Sequence, residues 1–450
     1  MHSHLALFTD LYELTMMQAY YEEGMTEDAI FSLFVRRLPP RRNLLLACGL
    51  ETVLGQLETL RFDEDDLAYL QSLGRFADST LARLRDWRFS GDVYAVAEGT
   101  PVFANEPLLE VVAPMPEAQL VETLVMNQIQ LQTMLASKAQ RVVTAAAGRP
   151  VYDFGARRTH GIDAAVKGAR AFHIAGVAGT SNVLAGKEYG LPVAGTMAHS
   201  YIQSHEDEAE AFRSFARRYP GTTLLVDTYD TLAGVRKVID LAHELGDDFK
   251  VGAVRLDSGD LLALSQEARA LLDAAGLPRV RIFGSGGLDE DQVAELVAAG
   301  APIDAFGVGT SMGVSQDVPT LDIVYKLVEY AGKGRLKLSS GKPVLPGRKQ
   351  VFRMSENGLA VRDVIARAAE DLPGLPLLVP VMRKGERLDA GRVDLNAARE
   401  HARRQLEALP ERVRAIAAAE PPYPVEVSPA LALFQKQIAD EIRKGSSGAA

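Results

Sequence analysis

The strongest constraint on the fold is a recurring ending. In the middle of the chain, five apolar runs pass straight into Gly, Ser, Thr, Asp or Arg. They are Val151-Tyr152-Asp153-Phe154-Gly155-Ala156-Arg157-Arg158, Leu191-Pro192-Val193-Ala194 continuing through Gly195-Thr196-Met197-Ala198 to His199-Ser200, Leu224-Leu225-Val226-Asp227-Thr228, Val251 to Gly259, and Val280 to Gly287. Strands buried on both faces read as apolar runs, and in α/β barrels their carboxyl ends carry the chemistry. Stretches of helical spacing follow or separate them, at Asp207 to Tyr219, Thr231 to Leu245, Asp260 to Ala275 and Asp289 to Ala299, the last with Asp289 placed to cap it. Strand and helix in alternation predict parallel βαβ units. Fewer than eight strands are easily counted, so an irregular α/β barrel is expected.

A chain of 450 residues is too long for one ordinary core. Residues 1–130 read as a mixed α+β domain. It holds a helix from Asp10 to Glu23 capped by Thr9 or Asp10, a strand from Ala29 to Val35, a small antiparallel sheet within Ser90 to Val112, and the start of a long helix from Glu117 to Ala147. Residues 131–330 read as the barrel. Residues 331–450 form a C-terminal segment with a basic loop within Gly332 to Arg353, then helices joined by proline-bearing links. Ala398 to Ala419 is expected as a charged helix, and Gly445 to Gly448 as a disordered tail.

Composition narrows the function. The formal charge of −10 disfavours nucleic-acid binding overall, while leaving room for a local basic pocket. The single cysteine, Cys48, excludes an internal disulfide and a multi-cysteine zinc site. No run approaches the roughly 18 apolar residues of a membrane span, and Met1 to Asp10 has no long apolar core, so no membrane association and a cytoplasmic location are expected.

Several residues at the predicted strand ends carry chemistry, each with a plainer alternative. Arg157 and Arg255 offer guanidinium forks for phosphates, or structural ion pairs with Asp153 or Asp257. Gly284, Ser285, Gly309 and Thr310 can bring backbone N–H groups to a phosphate, or form ordinary turns. Asp257 can stabilise developing positive charge, or cap a helix starting near Ser258. Phe154 can stack on a ring or pack in the core. His199 can act as a nucleophile, or be a core histidine bonded to a carbonyl. Lys337, Lys342, Arg348 and Lys349 could close over an anion or form a solvated charge run.

The motifs together resemble the nicotinate phosphoribosyltransferase family over nearly the whole chain. Thr9-Asp10-Leu11-Tyr12-Glu13-Leu14-Thr15-Met16 is similar to that family's opening motif. Asp153 to Arg158, Gly179-Thr180-Ser181-Asn182, Gly195 to Ser200, Arg255 to Gly259, Phe283 to Gly287 and Phe306-Gly307-Val308-Gly309-Thr310 follow in the family's order, and Lys337 to Lys349 resembles its basic loop. The resemblance implies a type II phosphoribosyltransferase: an irregular α/β barrel bearing the phosphoribosyl site, and a mixed α+β N-terminal domain rejoined by the C-terminal segment. It implies a homodimer with shared active sites. The implied reaction joins nicotinate and phosphoribosyl pyrophosphate into nicotinate mononucleotide and pyrophosphate in NAD salvage, with ATP as co-substrate and Mg2+.

The resemblance also implies roles. His199 is phosphorylated by ATP, giving a phosphohistidine. Arg157 and Arg255 face the phosphates, and Arg158 attracts the nicotinate carboxylate or packs outward. Asp257 binds the ribose hydroxyls or a magnesium ion. Phe154 and Tyr12, one from each subunit, sandwich the pyridine ring. Ser181 stands where nicotinamide-using relatives carry an aspartate, which favours the acid over the amide. Three other readings compete: a nicotinamide-using phosphoribosyltransferase, a barrel aldolase or phosphosugar isomerase, and a non-catalytic barrel that binds a phosphosugar or nucleotide. The five motif strand ends show no lysine for Schiff-base chemistry, and a mere sensor would not need His199.

Overall fold

The computed structural model describes residues 4–338 and 344–447. They form two compact units. One joins residues up to Met134 with those from Thr320 onward; the other is the continuous stretch Leu135–Pro319.

The continuous unit is built on a six-stranded parallel sheet. Its strands lie in the order Gly179–Thr180, Val151–Asp153, Ala305–Val308, Arg281–Gly284, Ala253–Leu256, Thr223–Leu225. The strands have two to four residues and are almost wholly buried, which is why they read as apolar runs without alternation. The sheet curls into an open half-barrel, the irregular form expected. Helices Glu208–Arg218, Thr231–Leu245, Leu261–Ala274 and Glu290–Ala298 agree with the periodicity. Asp289 caps the last in a full capping box, its side chain accepting from the Asp291 and Gln292 amides. One expected strand is missing as such. Leu191 to Ala194 makes only an isolated parallel bridge, Val193 to Thr180, because Pro192 has no N–H to give a ladder.

The discontinuous unit is centred on a seven-stranded antiparallel sheet. Its order is Lys333–Gly334, Ile323–Tyr330, Asp28–Val35, Pro107–Pro114, Asp92–Val96, Leu378–Arg383, Glu386–Arg387. The C-terminal segment thus rejoins the N-terminal domain within one sheet. Phe31 stacks on Tyr325 at 4.8 Å across the Asp28–Val35 and Ile323–Tyr330 pair. A four-stranded sheet follows, Leu375–Pro376, Lys349–Glu356, Leu359–Arg367 and Val425–Val427.

Several expectations for this unit need correction. The segment after Arg353 is largely β rather than helical as far as Arg387, because Leu359–Arg367 pairs antiparallel with Lys349–Glu356 on one side and parallel with Val425–Val427 on the other. The expected helix from Ala398 to Ala419 is split into Leu395–Glu407 and Glu411–Arg414 by Pro410. The helix expected from Glu117 is two, Met115–Leu120 and Glu122–Ala145. Helix Leu11–Glu22 has Asp10 at its N-cap position, yet neither expected residue caps it. The Asp10 carboxylate accepts from Thr123, and the Thr9 hydroxyl donates to Glu13. Of the expected disordered tail, residues 445–447 continue the helix Pro429–Ser447 and Gly448 lies outside the described residues.

Candidate active site

The carboxyl ends of the parallel strands assemble a polar cluster in the continuous unit. Arg255, near the end of Ala253–Leu256, makes three side-chain contacts. Its Nε donates to Ser285 Oγ at 2.8 Å, one terminal nitrogen to Thr196 Oγ1 at 2.9 Å, and the other to Asp257 Oδ1 at 2.5 Å. Ser285 also donates to Asp257 Oδ1 at 2.6 Å. Neighbouring parallel strands bring these groups together, since Arg255 pairs in register with Phe283. The turn after Gly284 lies so close that a Cβ on Gly286 would fall 1.8 Å from the Asp257 carbonyl oxygen, and its φ is +99°. Only glycine fits both conditions. Behind the turn, Glu290 opens the next helix and is held by buried Lys138 and by Arg141 Nε at 2.9 Å.

His199 faces this cluster, though not from a strand end. It begins a short helix, His199–Gln203, beyond the Val193 bridge. Its Nδ1 lies 3.1 Å from Thr228 Oγ1, and its Nε2 lies 3.9 Å from Asp257 Oδ2. The imidazole is partly exposed, and among the described residues it has no carbonyl contact of the core-histidine kind. Asp227, beside Thr228, accepts from the Asp257 amide at 3.1 Å and from Ser258 Oγ at 2.5 Å. Its other oxygen is buried without a partner among the described residues. Asp227, Thr228 and Thr196 were missed as site residues, although Asp227-Thr228 directly ends the apolar run Leu224 to Val226.

The turn after Val151–Asp153 places Phe154, Arg157 and Arg158. Asp153 is buried and holds the turn, accepting from the Gly155 amide at 2.8 Å and Thr180 Oγ1 at 2.7 Å. Burial pushes its pKa up, against those two hydrogen bonds. Phe154 stacks on Phe283 at 5.7 Å, and the Arg255 guanidinium lies 5.3 Å from its ring centre. Gly307 makes room for both rings, since a Cβ there would meet each at 2.7 Å. Arg157 and Arg158 lie in a 3-10 turn with exposed side chains, and Arg157 does not form the ion pair with Asp153 that was weighed for it. Ser181 is half-buried, its amide donating to the Asp153 carbonyl at 2.8 Å. Gly309 and Thr310 start the four-residue helix Thr310–Gly313.

The plainer alternatives fare unevenly. Asp257 does not cap a helix; Asp260 does, accepting from the Ala263 amide at 3.1 Å. Arg255 does pair with Asp257, so the ion pair and the cluster are one arrangement. Lys349 is no part of a mobile loop: it is buried in a strand, 2.9 Å from Glu110. Arg348 lies over the Tyr94 ring at 4.2 Å, Lys337 is exposed, and Lys342 lies outside the described residues. Tyr12 belongs to the discontinuous unit, on helix Leu11–Glu22, and is 46% exposed. Burial, together with Glu122, raises its phenol pKa above the usual value.

The donor set suits a hard divalent cation. Mg2+ takes oxygens, commonly one or two carboxylates with substrate phosphates completing the shell. Asp227, with its unpartnered buried oxygen, and Asp257 stand at adjacent strand ends and would be the residues to hold such an ion.

Comparisons with known proteins reach both units of the chain. A model of the nicotinate phosphoribosyltransferase N-terminal domain matches residues 7–130, and one of the nicotinate phosphoribosyltransferase family matches residues 150–357. The nicotinate phosphoribosyltransferase pncB2 of Mycobacterium tuberculosis is 57% identical over 423 residues, covering 94% of this chain and 91% of that one. The nicotinate phosphoribosyltransferase of Bacillus subtilis is 43% identical over 358 residues, covering 78% and 73%. A crystal structure of human nicotinic acid phosphoribosyltransferase superposes with a TM-score of 0.85 at 27% identity, covering 95% of this chain and 99% of that one. Among the described residues, no helix is long and apolar enough to cross a membrane. The chain belongs to the nicotinate phosphoribosyltransferase family.

Proposed function

We propose that the chain transfers the phosphoribosyl group of phosphoribosyl pyrophosphate to nicotinate, as a step of NAD salvage. The cluster of Arg255, Asp257, Ser285 and His199 carries this reading. In the reaction the bond between the sugar C1 and the pyrophosphate oxygen breaks, and a bond from C1 to the pyridine nitrogen forms. Positive charge develops on the sugar as the pyrophosphate leaves, and the Asp257 carboxylate is placed to stabilise it. Arg157 and Arg255 bind phosphoryl oxygens, together with backbone N–H groups at Gly284, Gly309 and Thr310, while the Ser285 amide is already given to the Leu256 carbonyl at 2.9 Å. The Phe154 ring stacks on the pyridine, with Phe283 supporting its other face. In a homodimer with shared sites, Tyr12 of the neighbouring subunit completes that stack. Arg158 attracts the substrate carboxylate, and Ser181 leaves it unopposed by a negative charge.

ATP is the second substrate of this reading. Thr228 engages Nδ1 of His199, which leaves Nε2 to attack the γ-phosphorus. The Nε2–P bond forms as the bond from phosphorus to the ADP oxygen breaks; water later breaks the Nε2–P bond and releases phosphate. Mg2+ held by Asp227 and Asp257 would supply charge neutralisation at the phosphates. The test is to mix protein, nicotinate, phosphoribosyl pyrophosphate and magnesium, and to follow pyrophosphate release with and without ATP. The same panel with nicotinamide tests the acid preference. Absence of pyrophosphate under all these conditions would overturn the assignment.

A further inference from the structure

Two glycine turns of the continuous unit are tied to one buried cation. Strands Arg281–Gly284 and Ala305–Val308 are parallel neighbours, with Gly284 in register with Phe306. The turns that follow them therefore emerge side by side. One carries Ser285, whose hydroxyl meets Arg255 and Asp257, and leads to helix Glu290–Ala298. The other carries Gly309 and leads to helix Thr310–Gly313. Glu290 is the first residue of its helix, and Asp317 follows close behind the second.

Helix Glu122–Ala145 supplies the link. Lys138 and Arg141 stand three residues apart and share one face of it. Lys138 Nζ contacts Glu290 Oε2 and lies 2.8 Å from Asp317 Oδ1. Arg141 Nε donates to Glu290 Oε1 at 2.9 Å. Lys138, Arg141 and Glu290 are buried, and Asp317 is 28% exposed. Each carboxylate is fixed in its own segment of chain. The Asp289 capping box closes the turn before Glu290. Beside Asp317, the Ser315 backbone sits at φ +44° and its hydroxyl donates to the Val318 carbonyl at 2.7 Å.

We propose that Lys138 is a positioning residue for the phosphoribosyl site, holding the two turns at the separation that a phosphosugar anchored on both requires. The identity of that ligand rests on the transferase reading. An ammonium carries three N–H donors and can serve two carboxylates at once. A buried ion network adds little net stability over apolar packing of the same volume, and fixing the register of elements is its best-attested use. Here two cations face two carboxylates, so the network offers no net charge to attract a phosphate. What it offers is geometry. Phosphoribosyl pyrophosphate reaches from Asp257, where its C1 reacts, to the Gly309–Thr310 turn, and so is sensitive to the distance between the turns. Nicotinate, stacked on Phe154, does not span them.

Equilibrium dialysis of the full chain with labelled phosphoribosyl pyrophosphate and magnesium gives the decisive Kd. Asp317→Ala cuts the tie to the second turn while Lys138, Arg141 and Glu290 stay together, and should raise Kd by about tenfold. Lys138→Met should raise it at least as much, and the double variant no further than Lys138→Met alone, since both changes break one link. KM for nicotinate should stay within about twofold of the wild type. Glu110→Gln, which breaks the buried pair with Lys349 in the other unit, should lower the melting temperature and leave Kd unmoved. An unchanged Kd in Asp317→Ala overturns the proposal. So does an equal rise in Glu110→Gln, or a parallel rise in KM for nicotinate, since either marks a merely structural role. If Lys138→Met does not fold, Asp317→Ala decides alone. A wild type that fails to bind phosphoribosyl pyrophosphate also overturns the proposal. A wild type that binds it but releases no pyrophosphate with nicotinate defeats the transferase reading instead, and the Kd comparison still stands.

Discussion

Two arginine–aspartate pairs, one in each unit, use the same chemistry to opposite ends. In the discontinuous unit Arg353 grips Asp363 with both Nε (3.0 Å) and a terminal nitrogen (2.6 Å). The remaining valences are filled by the Pro101 carbonyl, Gln405 and the Tyr423 hydroxyl, and both side chains are at most 3% exposed. In the continuous unit Arg255 touches Asp257 with one nitrogen only. The other carboxylate oxygen faces His199 across 3.9 Å, and Asp257 is 27% exposed. The closed pair leaves nothing to bind with. The open pair keeps an acceptor and a cation within reach of a ligand, and gives up the burial that would make it a strong structural link.

The comparison breaks most readily on stability. Arg353→Ala leaves Asp363 and the neighbouring buried Glu106 without their cation and should cost about 3–5 kcal/mol in urea unfolding. Arg255→Ala should cost less than about 1 kcal/mol, since its partner remains partly solvated. Equal losses would show that openness is not what separates the pairs.

Activity should divide them the other way. Asp257→Asn is expected to lower kcat/KM for phosphoribosyl transfer by roughly 10²–10³-fold with little change in melting temperature. A melting temperature that falls as far as in Arg353→Ala would return Asp257 to a structural role. His199→Ala should abolish ATP hydrolysis and acid-labile labelling from γ-labelled ATP, while ATP-independent transfer falls by no more than about tenfold. Label on any other residue refutes the coupling.

A buried carboxyl with no cation sharpens the contrast further. Glu13 is fully buried, and burial raises its pKa from 4.5 to about 7 despite hydrogen bonds from Thr123 and Thr9. The folded state therefore holds a proton that the unfolded state has released between pH 4.5 and about 7. Its contribution favours folding below pH 4.5 and is lost as pH rises through 7, the reverse of a salt-bridged acid. Glu13→Gln should flatten the fall in urea midpoint across that window, and an unaltered slope would argue that the carboxyl is not the group titrating. The smallest effect is expected at the edge of the open cluster: Ser181→Asp should shift the nicotinate-to-nicotinamide ratio of kcat/KM towards the amide by about tenfold.

Most of the residues that meet at the strand ends were legible because buried parallel strands are uninterrupted apolar runs, so their ends stand out. Arg255, Asp257 and Ser285 meet because adjacent strands place them in register, and neighbouring ends can be inferred from order alone. Thr196 and Thr228 were harder. A hydroxyl at a strand end has no chemical signature until something is seen to touch it, here Arg255 and His199. The segment after Arg353 misled because helix and strand compete in short mixed runs, and Leu359–Arg367 is a strand only through partners on both sides. Lys349 looked like surface charge, because the carboxylate that buries it, Glu110, is far away in sequence.

The seven-stranded sheet has a consequence for how the polypeptide emerges from the ribosome. Strand Asp28–Val35 is synthesised early, yet one of its two neighbours, Ile323–Tyr330, is made only after the entire continuous unit. Strand Asp92–Val96 waits longer still, for Leu378–Arg383. Throughout that interval a nascent sheet presents two unpaired apolar edges, the kind of surface that recruits foreign strands. The continuous unit, by contrast, has all its sheet partners in hand once residue 308 has left the exit tunnel. Translation therefore orders assembly from the middle outwards, and chaperone demand should fall on the half of the protein whose sequence starts and finishes the chain.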